Sequence, residues 1–429
     1  MNVEVINTGT ELLLGSVINT HLKHLAEALF PLGLRVQRQV TVPDGAAIQE
    51  ALRESFGRAD IVIVTGGLGP TIDDITRELV AELYGLELVH DPAIMELIHS
   101  RFARHGLLMT DRVQRQAQRP QEATVLHNDH GTAPGLYFAP QQIPGGLEGK
   151  LTPHLFLLPG PPRELHPMVQ DSVLPILQKL LPTALVSEMR VFRVAGIGES
   201  GVEDLVGADL QTLDLELGYC ARPGEVEIRL IGHPGELAAA EALLLRKLGS
   251  HIVSQDGQSL EAAVIALLGT RGESLAVAES CTGGFLAHRL TNVPGASVVF
   301  IASYVTYADE AKIKTLGVDA ALIARHGAVS HEVAIAMARG ALQTSGADHA
   351  LATTGIAGPG GGTEVKPVGT VYIALATRSG TPRVGRHRFA TDRETFKFLA
   401  TQSALDLLRR NLLEPTPDTP RLKSIQASS

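Results

Sequence analysis

Apolar positions along this chain switch between two periods. Runs of consecutive or alternating aliphatic residues mark strands, and apolar residues three or four apart mark helices. "VEVINTG" is a strand, and "NTHLKHLAEALFPLG" has helical spacing that ends at Gly33. "LRVQRQVTV" is a second strand, "DGAAIQEALRESFGRA" a helix and "DIVIVTGG" a wholly apolar strand. A long helical stretch follows from about Thr76 to His105, then strands in "APGLYFAP" and "HLFLLPG", then a helix in "PPRELHPMVQDSVLPILQKL". Strands alternating with helices imply βαβ units and a parallel sheet. The first domain is read as residues 1–180.

The rhythm changes near Met189. "MRVFRVAG" is a strand, "GESGVEDLVGADL" a short helix, "LELGYCARPGEVEIRLIGH" a hairpin turned at Arg-Pro-Gly, and "PGELAAAEALLLRKLGSHI" a helix. That order predicts a small α+β domain over 188–255. Strand–helix alternation resumes near Ser259, with "SLAVA", "ASVVFIASYVTYAD", "DHALATTG" and "GTVYIALAT" as strands and a last helix over Arg393 to Leu413. The third domain is read as α/β over 258–414. The Pro-rich polar end, 415–429, reads as a frayed tail. No short-period repeat is present.

Composition narrows the picture. The 429 residues exceed one ordinary core, so two or three domains are expected. Aromatics are only 4 % and Trp is absent, which argues against stacking bases on aromatic platforms. The net charge of −9 gives no broad footprint for nucleic acid. Cys220 and Cys281 lie far apart and make neither a metal-spaced cluster nor a disulfide framework. "MNVEVINTG" enters a strand without a leader pattern, and no apolar run is long enough to span a bilayer. The expectation is a soluble cytoplasmic protein.

The candidate chemistry sits in turns that follow strands. "VTGGLGPTIDD" follows "DIVIV", and in open α/β sheets ligands bind outside the carboxyl ends of strands. Gly66, Gly67 and Gly69 allow close backbone approach to an anion, and Asp73 and Asp74 add two carboxylates. Two aspartates beside a phosphate imply a cation between them, and Mg²⁺ commonly bridges carboxylates and substrate phosphates. The alternative is a Gly-rich turn capped by Asp. "NTGTELLLG" offers Thr10 and Glu11 after the first strand, and "LPGPPREL" offers Arg163 and Glu164 after another.

"TGGLGPTIDD", "GTELLLG", "GTAPG" and "LPGPPREL" resemble the molybdopterin-binding fold of molybdenum-cofactor biosynthesis proteins, a three-layer domain. More closely they resemble the N-terminal domain of the competence/damage-inducible CinA family. The resemblance implies an ADP-ribose pyrophosphatase that needs a divalent metal (Mg, Mn or Co). It puts Asp74 at the metal, with Asp73 and Glu78 as further candidates. The stretch "QQIPGGLEGKLTP" looks peculiar to this chain and reads as a surface loop.

A second set of turns lies in the third domain. "AESCTGGFLAHRL" runs from a strand through a polar turn into a helix. It is open to reading as a plain capped turn, a redox cysteine, a catalytic serine or a phosphate cradle. Ser280 or Thr282 is expected to cap the helix, leaving free N–H groups for an anion. "GASVVFIASYVTYADEAK" supplies Ser297, Tyr307 and Lys312. Serine needs a base beside it, and a buried lysine is one. The histidines form no convincing Ser-His-Asp pattern. "TTGIAGPGGGTEVKPVGT" is a second glycine loop, with Thr354, Gly355 and Gly358 for close approach, and Lys366 and Arg393 add positive charge. Cys281 reads as a small buried residue more readily than as a nucleophile.

"AESCTGG", "YVTYADEAK", "HGAVSHEVA", "TTGIAGPGGGTEVKPVGTV" and "TDRE" resemble the C-terminal domain of the same family, a nicotinamide-nucleotide (NMN) deamidase. The middle domain resembles the family's KH-like module, but no GxxG loop with basic flanks is present, so no nucleic-acid partner is expected. The resemblance implies hydrolysis of NMN to nicotinate mononucleotide and ammonia, without a cofactor in that domain. It places the nucleophile at Ser297, with Lys312 as base, Tyr307 assisting and Ser280 as rival nucleophile or oxyanion group. Thr282, Gly283, Gly284, Thr354, Gly355 and Gly358 would then line the substrate, and Arg393 and Lys397 would hold its phosphate. NMN and ADP-ribose are the small-molecule partners implied, with no membrane partner and a homodimer as the assembly.

Overall fold

The computed structural model describes residues 1–105, 111–144, 151–181, 188–378 and 380–414. The chain forms two compact units, Met1–Ser187 and Glu188–Ser429. The tail expected at 415–429 lies outside the described residues, as does the middle of the expected loop at 141–153.

The first unit is built on β1 (Asn2–Thr8), β2 (Arg35–Val42), β3 (Ile61–Thr65), a small ribbon of β4 (Leu88–His90) and β5 (Gln118–Pro120), then β6 (Thr124–Leu126), β7 (Gly135–Phe138) and β8 (His154–Leu158). The main sheet runs β2-β1-β3-β8-β7-β6. β1, β2, β3 and β8 are parallel, and β7 and β6 are antiparallel additions. Side chains alternate across the sheet as the pleat requires. Val3, Val5, Ile61 and Ile63 pack under the helix His21–Leu29 and the helical run from Pro162, with Leu25, Leu29, Leu165 and Val173. Ile6, Val62 and Val64 face the helices Ala46–Ser55 and Thr76–Tyr84, through Ile48, Leu52, Val80 and Leu83. The result is three layers, with β3 fully buried at the centre.

The long helix expected from Thr76 to His105 is two helices. Gly85, with φ of 66°, ends the first after Tyr84, the chain passes through β4, and a second helix covers Pro92–His105. A left-handed Gly after a helix stops the hydrogen-bond ladder. Apolar periodicity on both sides hid the break.

The second unit begins with an antiparallel sheet of β9 (Glu188–Ala195), β10 (Leu215–Arg222), β11 (Glu225–Gly232) and β12 (Ile252–Ser254), in the order β10-β11-β9-β12. The hairpin turns at Pro223-Gly224, where Gly224 has φ of 71°. Helices Glu199–Leu210 and Pro234–Leu248 cover one face through Val202, Val206, Leu237 and Leu244. The remaining sheet comprises β13 (Leu275–Glu279), β14 (Phe300–Val305), β15 (His349–Gly355), β16 (Thr370–Thr377) and β17 (Arg383–Arg388), ordered β14-β13-β15-β16-β17. β14, β13 and β15 are parallel, and β16 and β17 are antiparallel. Helices Leu260–Arg271 and Arg393–Leu413 pack on one face with Leu268, Leu405 and Leu408. The helix His331–Ser345 packs on the other with Val333, Met337 and Ala341.

The two sheets of this unit are tied through the helix Arg393–Leu413. Gln402 donates to Glu225 (3.3 Å), Arg410 to the Ala195 carbonyl (3.1 Å), and Arg409 to the carbonyls of Ile252 and Ser250 (2.8 and 2.6 Å). The Arg409 side chain is 1 % exposed and also bonds Asp406, so its charge is paired as burial demands. Among the described residues, no helix is long and apolar enough to cross a membrane.

Candidate functional sites

In the first unit, β2 lies on one side of β1 and β3 on the other, so the strand order reverses at β1. Such a switch point opens a crevice at the carboxyl ends of the strands. A cleft of about 480 Å³ lies there, walled by the turns after β1, β2, β3 and β8. Beneath it, Asn7 donates to the Thr65 hydroxyl (2.7 Å), Gln39 donates to Asn7 (2.7 Å), and His21 Nδ1 lies 2.9 Å from the same Thr65 oxygen. This network fixes the floor. Burial holds the His21 imidazole below its ordinary value, hence neutral.

The turn after β3 is shaped by close contacts. A Cβ on Gly67 would lie 2.0 Å from the Thr76 hydroxyl, and one on Gly69 would lie 2.5 Å from Asp74 Oδ2. Gly67 also has φ of 70°. Asp74 Oδ2 accepts from the Thr71 backbone N–H (2.9 Å) and from its hydroxyl. The Thr71 hydroxyl beside Asp73 holds that carboxyl below the usual range. Glu164 is buried and accepts from Asn128 (2.9 Å). Gln116, 1 % exposed, donates to the Leu68 carbonyl (3.3 Å), while its side-chain oxygen has no partner. A buried acceptor without a donor in a cleft wall fits a ligand that supplies one.

The second cluster lies at the carboxyl ends of β13 and β15. Glu279 ends β13 at 0 % exposure, and its carboxylate accepts the N–H groups of Gly284, Leu286 and Ala287 (3.0, 3.0 and 2.9 Å). A buried carboxylate needs donors, and a helix start has unpaired ones. The Thr282 and Thr353 hydroxyls pair at 2.8 Å, and Thr354 donates to the Ala328 carbonyl (2.8 Å). Gly358 has φ of 85°, and a Cβ there would lie 2.6 Å from Val368.

Lys312 is 1 % exposed, and its amine donates to the Tyr307 carbonyl (3.0 Å) and to Asp309 (3.4 Å). Arg393 spans from the Gly358 carbonyl (2.8 Å) to the Tyr307 hydroxyl (3.2 Å). Lys397, one turn further along the same helix, places its amine 5.7 Å from the centre of the Phe285 ring. One end of the sheet thus gathers a buried amine, a phenol, a guanidinium and a glycine loop. Arg393 and Lys397 place two cationic groups on the first turns of one helix.

Family models match this chain in three consecutive blocks. A "Probable molybdopterin binding domain" matches residues 4–179, the "Damage-inducible protein CinA KH domain" residues 189–252, and the "CinA C-terminal domain" residues 257–412. A CinA-like protein of Akkermansia muciniphila is 48 % identical over 420 residues, covering 97 % of this chain and 99 % of its own length. The chain belongs to the CinA family. A Moorella thermoacetica protein named as competence-damage inducible is 45 % identical and covers 96 % of this chain and 99 % of its own. A crystal structure of the competence/damage inducible protein CihA from Agrobacterium tumefaciens is 39 % identical and covers 36 % of this chain and 94 % of its own, with a TM-score of 0.35.

Within this CinA architecture the expected residues divide. Glu11, Gly66, Gly67, Gly69, Asp73 and Asp74 all line the first cleft. Thr10 does not: its N–H and hydroxyl both turn to Asp44 (3.1 and 3.3 Å). Glu78 also stands aside, because its carboxylate pairs with Arg77 on the helix behind the turn. Asp44, His21 and Gln116 line the cleft without having been anticipated. Asp44 had a signal, since "VPDG" is another polar turn after a strand.

In the second cluster, Ser280, Tyr307, Lys312, Thr354, Gly355 and Arg393 belong to the carboxyl end of the sheet. The expected helix cap by Ser280 or Thr282 is replaced by Glu279, which takes the N–H groups foreseen for an anion. Gly283 and Gly284 instead turn the chain with φ of 60° and 93°. Lys366 is engaged by the His326 carbonyl (2.7 Å). The largest departure is Ser297. It lies before β14, beside the amino end of β13, because β14 runs parallel to β13. Six residues of strand at about 3.3 Å each put roughly 20 Å between that end and Tyr307. Within one chain, Ser297 and Lys312 do not meet. Cys281 is buried, and burial pushes its thiol up to about 12, which removes it as a nucleophile at neutral pH.

Proposed function

We propose that this chain is a hydrolase with two separate nucleotide sites: an NMN amidase at the carboxyl end of the β13–β15 sheet and a metal-assisted ADP-ribose pyrophosphatase in the first unit's cleft. The observation that carries the first reading is Lys312, an amine at 1 % exposure that donates to the backbone carbonyl of Tyr307, whose hydroxyl in turn meets Arg393. A buried amine bonded to the backbone of the residue whose phenol meets a guanidinium suits attack on a phosphorylated amide. In this reading a serine Oγ adds to the amide carbonyl carbon, and Lys312 takes the serine proton and returns it to the departing ammonia. Water then opens the acyl-enzyme to release nicotinate mononucleotide. Tyr307 steadies the carbonyl oxygen, and Arg393 with Lys397 holds the phosphate. Ser280, directly after the carboxyl end of β13, is the serine given that role.

For the first unit, Asp74 and Asp73 would hold a divalent cation, whose charge would neutralise developing negative charge on a pyrophosphate. Among the described residues no three His, Cys, Asp or Glu side chains form a ready metal cage. That donor set still fits Mg²⁺, Mn²⁺ or Co²⁺ bound through one or two carboxylates and completed by substrate phosphates. Thr71 engages only Oδ2 of Asp74, which leaves Oδ1 for a cation. The same missing cage favours a second reading, a cleft that binds a pterin-like ligand without turnover.

Two assays decide these readings in a protein taken to be cytoplasmic and homodimeric. Ammonia release from NMN is expected from the wild type and lost in Lys312→Ala; release that survives the substitution sinks the Lys312 mechanism. AMP release from ADP-ribose is expected only with a divalent metal and is lost in Asp74→Ala. Ligand binding without metal-dependent AMP release would favour the binding reading.

A further inference from the structure

A cavity of about 640 Å³ lies in the second unit, where the hairpin of the small antiparallel sheet meets β17, an edge of the five-stranded sheet. Three elements wall it. From the helix Arg393–Leu413 come Leu399, Gln402, Ser403, Asp406, Leu407 and Arg410, one stripe at helical spacing. From β17 and the residue just past it come Arg383, Gly385, His387 and Phe389, the alternate positions of one face. Hairpin residues on either side of Gly224, with the turn after β9, close the third side. The volume is that of a small-molecule site, and none of the groups assigned above to NMN or ADP-ribose lines it.

The arginines of this wall are already paired: Arg383 with Glu414, Arg222 with Glu227 (2.8 Å) and Arg410 with Asp406 (2.7 Å). Glu225 is held by Arg193 and Gln402 (2.9 and 3.3 Å). Glu199, exposed at the rim, has no ion-pair partner among the described residues, so the free charge there is negative. What remains uncommitted is neutral. The His387 ring nitrogens and the Ser403 hydroxyl make no hydrogen bond among the described residues. Burial holds the His387 imidazole below its ordinary value, so at neutral pH it carries one donor and one acceptor. Its ring lies 5.8 Å from that of Phe389 and 20° from parallel, which makes one flat wall. Beside it the strand has no side chain: a Cβ on Gly385 would lie 2.8 Å from His387 Nε2. That notch leaves the imidazole open to the cavity.

We propose that this cavity binds an uncharged nitrogen heteroaromatic ring, of the size of a nucleobase or nucleoside, which lies flat on His387 and Phe389 and bonds His387 and Ser403 through its edge. Flatness follows from the ring pair, because aromatic faces accept another ring in offset stacking. The edge follows from the two polar groups, each able to give and to take a hydrogen bond. A purine edge, with an amine beside a ring nitrogen, answers both. Neutrality follows from the charges. A phosphate here would meet arginines that already hold carboxylates, and the free carboxylate of Glu199 at the rim. The site depends on neither activity proposed above.

Equilibrium dialysis of the full chain against labelled adenosine tests this. Saturable binding is expected, and unlabelled AMP should compete for it at least about tenfold more weakly than unlabelled adenosine. Gly385→Leu fills the notch and should abolish binding. Two milder variants guard against misfolding. His387→Phe keeps a ring and loses its nitrogens, and Ser403→Ala loses only a hydroxyl. Each should weaken adenosine about tenfold while thermal melting stays unchanged. Asp74→Ala and Lys312→Ala, at the other two sites, should leave adenosine binding as it is. No binding at millimolar adenosine overturns the proposal. So does binding that the three cavity variants leave intact, or that is lost in Asp74→Ala or Lys312→Ala instead, since the nucleoside then sits elsewhere. AMP that competes as well as adenosine overturns the uncharged class.

Discussion

The two candidate sites use the same end of the same kind of sheet and differ in how many of their expected groups that end brings together. The first cleft is walled on all sides by one chain: the turns after β1, β2, β3 and β8 meet around it. The second has its amine, phenol and guanidinium at one end of β14, with the expected nucleophile at the other. Both obey the rule that ligands collect at carboxyl strand ends. The difference lies in the sheet. β1 is an inner strand with a neighbour on either side, so loops converge on it, whereas β14 is an edge with one side open.

The comparison breaks first at Lys312. Lys312→Ala should lower NMN deamidation by about 10³-fold, within the range for loss of an acid–base group, while leaving ADP-ribose cleavage unchanged. A fall in both activities would mean that the sites are not independent. Asp74→Ala is the mirror test, with an expected loss of about 10²-fold in metal-dependent AMP release and none in ammonia release. If both rates fall together, the aspartate is holding the fold rather than a cation. Arg409→Ala would strip a buried guanidinium from its carbonyl and carboxylate partners, at a cost of roughly 3–5 kcal/mol in the second unit. Urea unfolding followed by a probe in each unit should show only the second moving. Smallest is Cys281. With its thiol pushed up to about 12, about one part in 10⁴ is thiolate at pH 8. The thiol gains its charge only above that value, so iodoacetamide at pH 8 should label the exposed Cys220 and spare Cys281. Deamidation should be unchanged after labelling. Rapid labelling of Cys281 would reopen it as a nucleophile.

The chain's sequence made the alternation of strands and helices plain, and with it the parallel α/β character of the first domain and the polar turns that carry Asp74, Ser280 and Thr354; the three layers were implied only by the resemblance. Strand-end turns are local, so their chemistry is visible in a single line of residues. What stayed hidden depends on partners distant in sequence or on direction. Glu279 looked like one more polar residue of a turn; its three N–H partners exist only after the helix has turned back above it. Thr10 looked like a cleft residue until Asp44, 34 positions away, claimed its hydroxyl. Ser297 lies close to Tyr307 along the chain, yet an intervening strand converts that closeness into distance. Counting residues across a predicted strand would have revealed this, because a strand separates what a turn would join.

The helix Arg393–Leu413 has a mechanical consequence. Its 21 residues make a rod of about 31 Å with a site at one end and a clamp on the neighbouring sheet at the other. Arg393 touches the Gly358 loop and Tyr307, while Gln402, Arg409 and Arg410 grip Glu225, Ile252 and Ala195. A stiff rod does not absorb displacement. Whatever pushes on the small antiparallel sheet therefore pushes on the guanidinium beside Tyr307, so a domain outside the cluster governs where that charge stands.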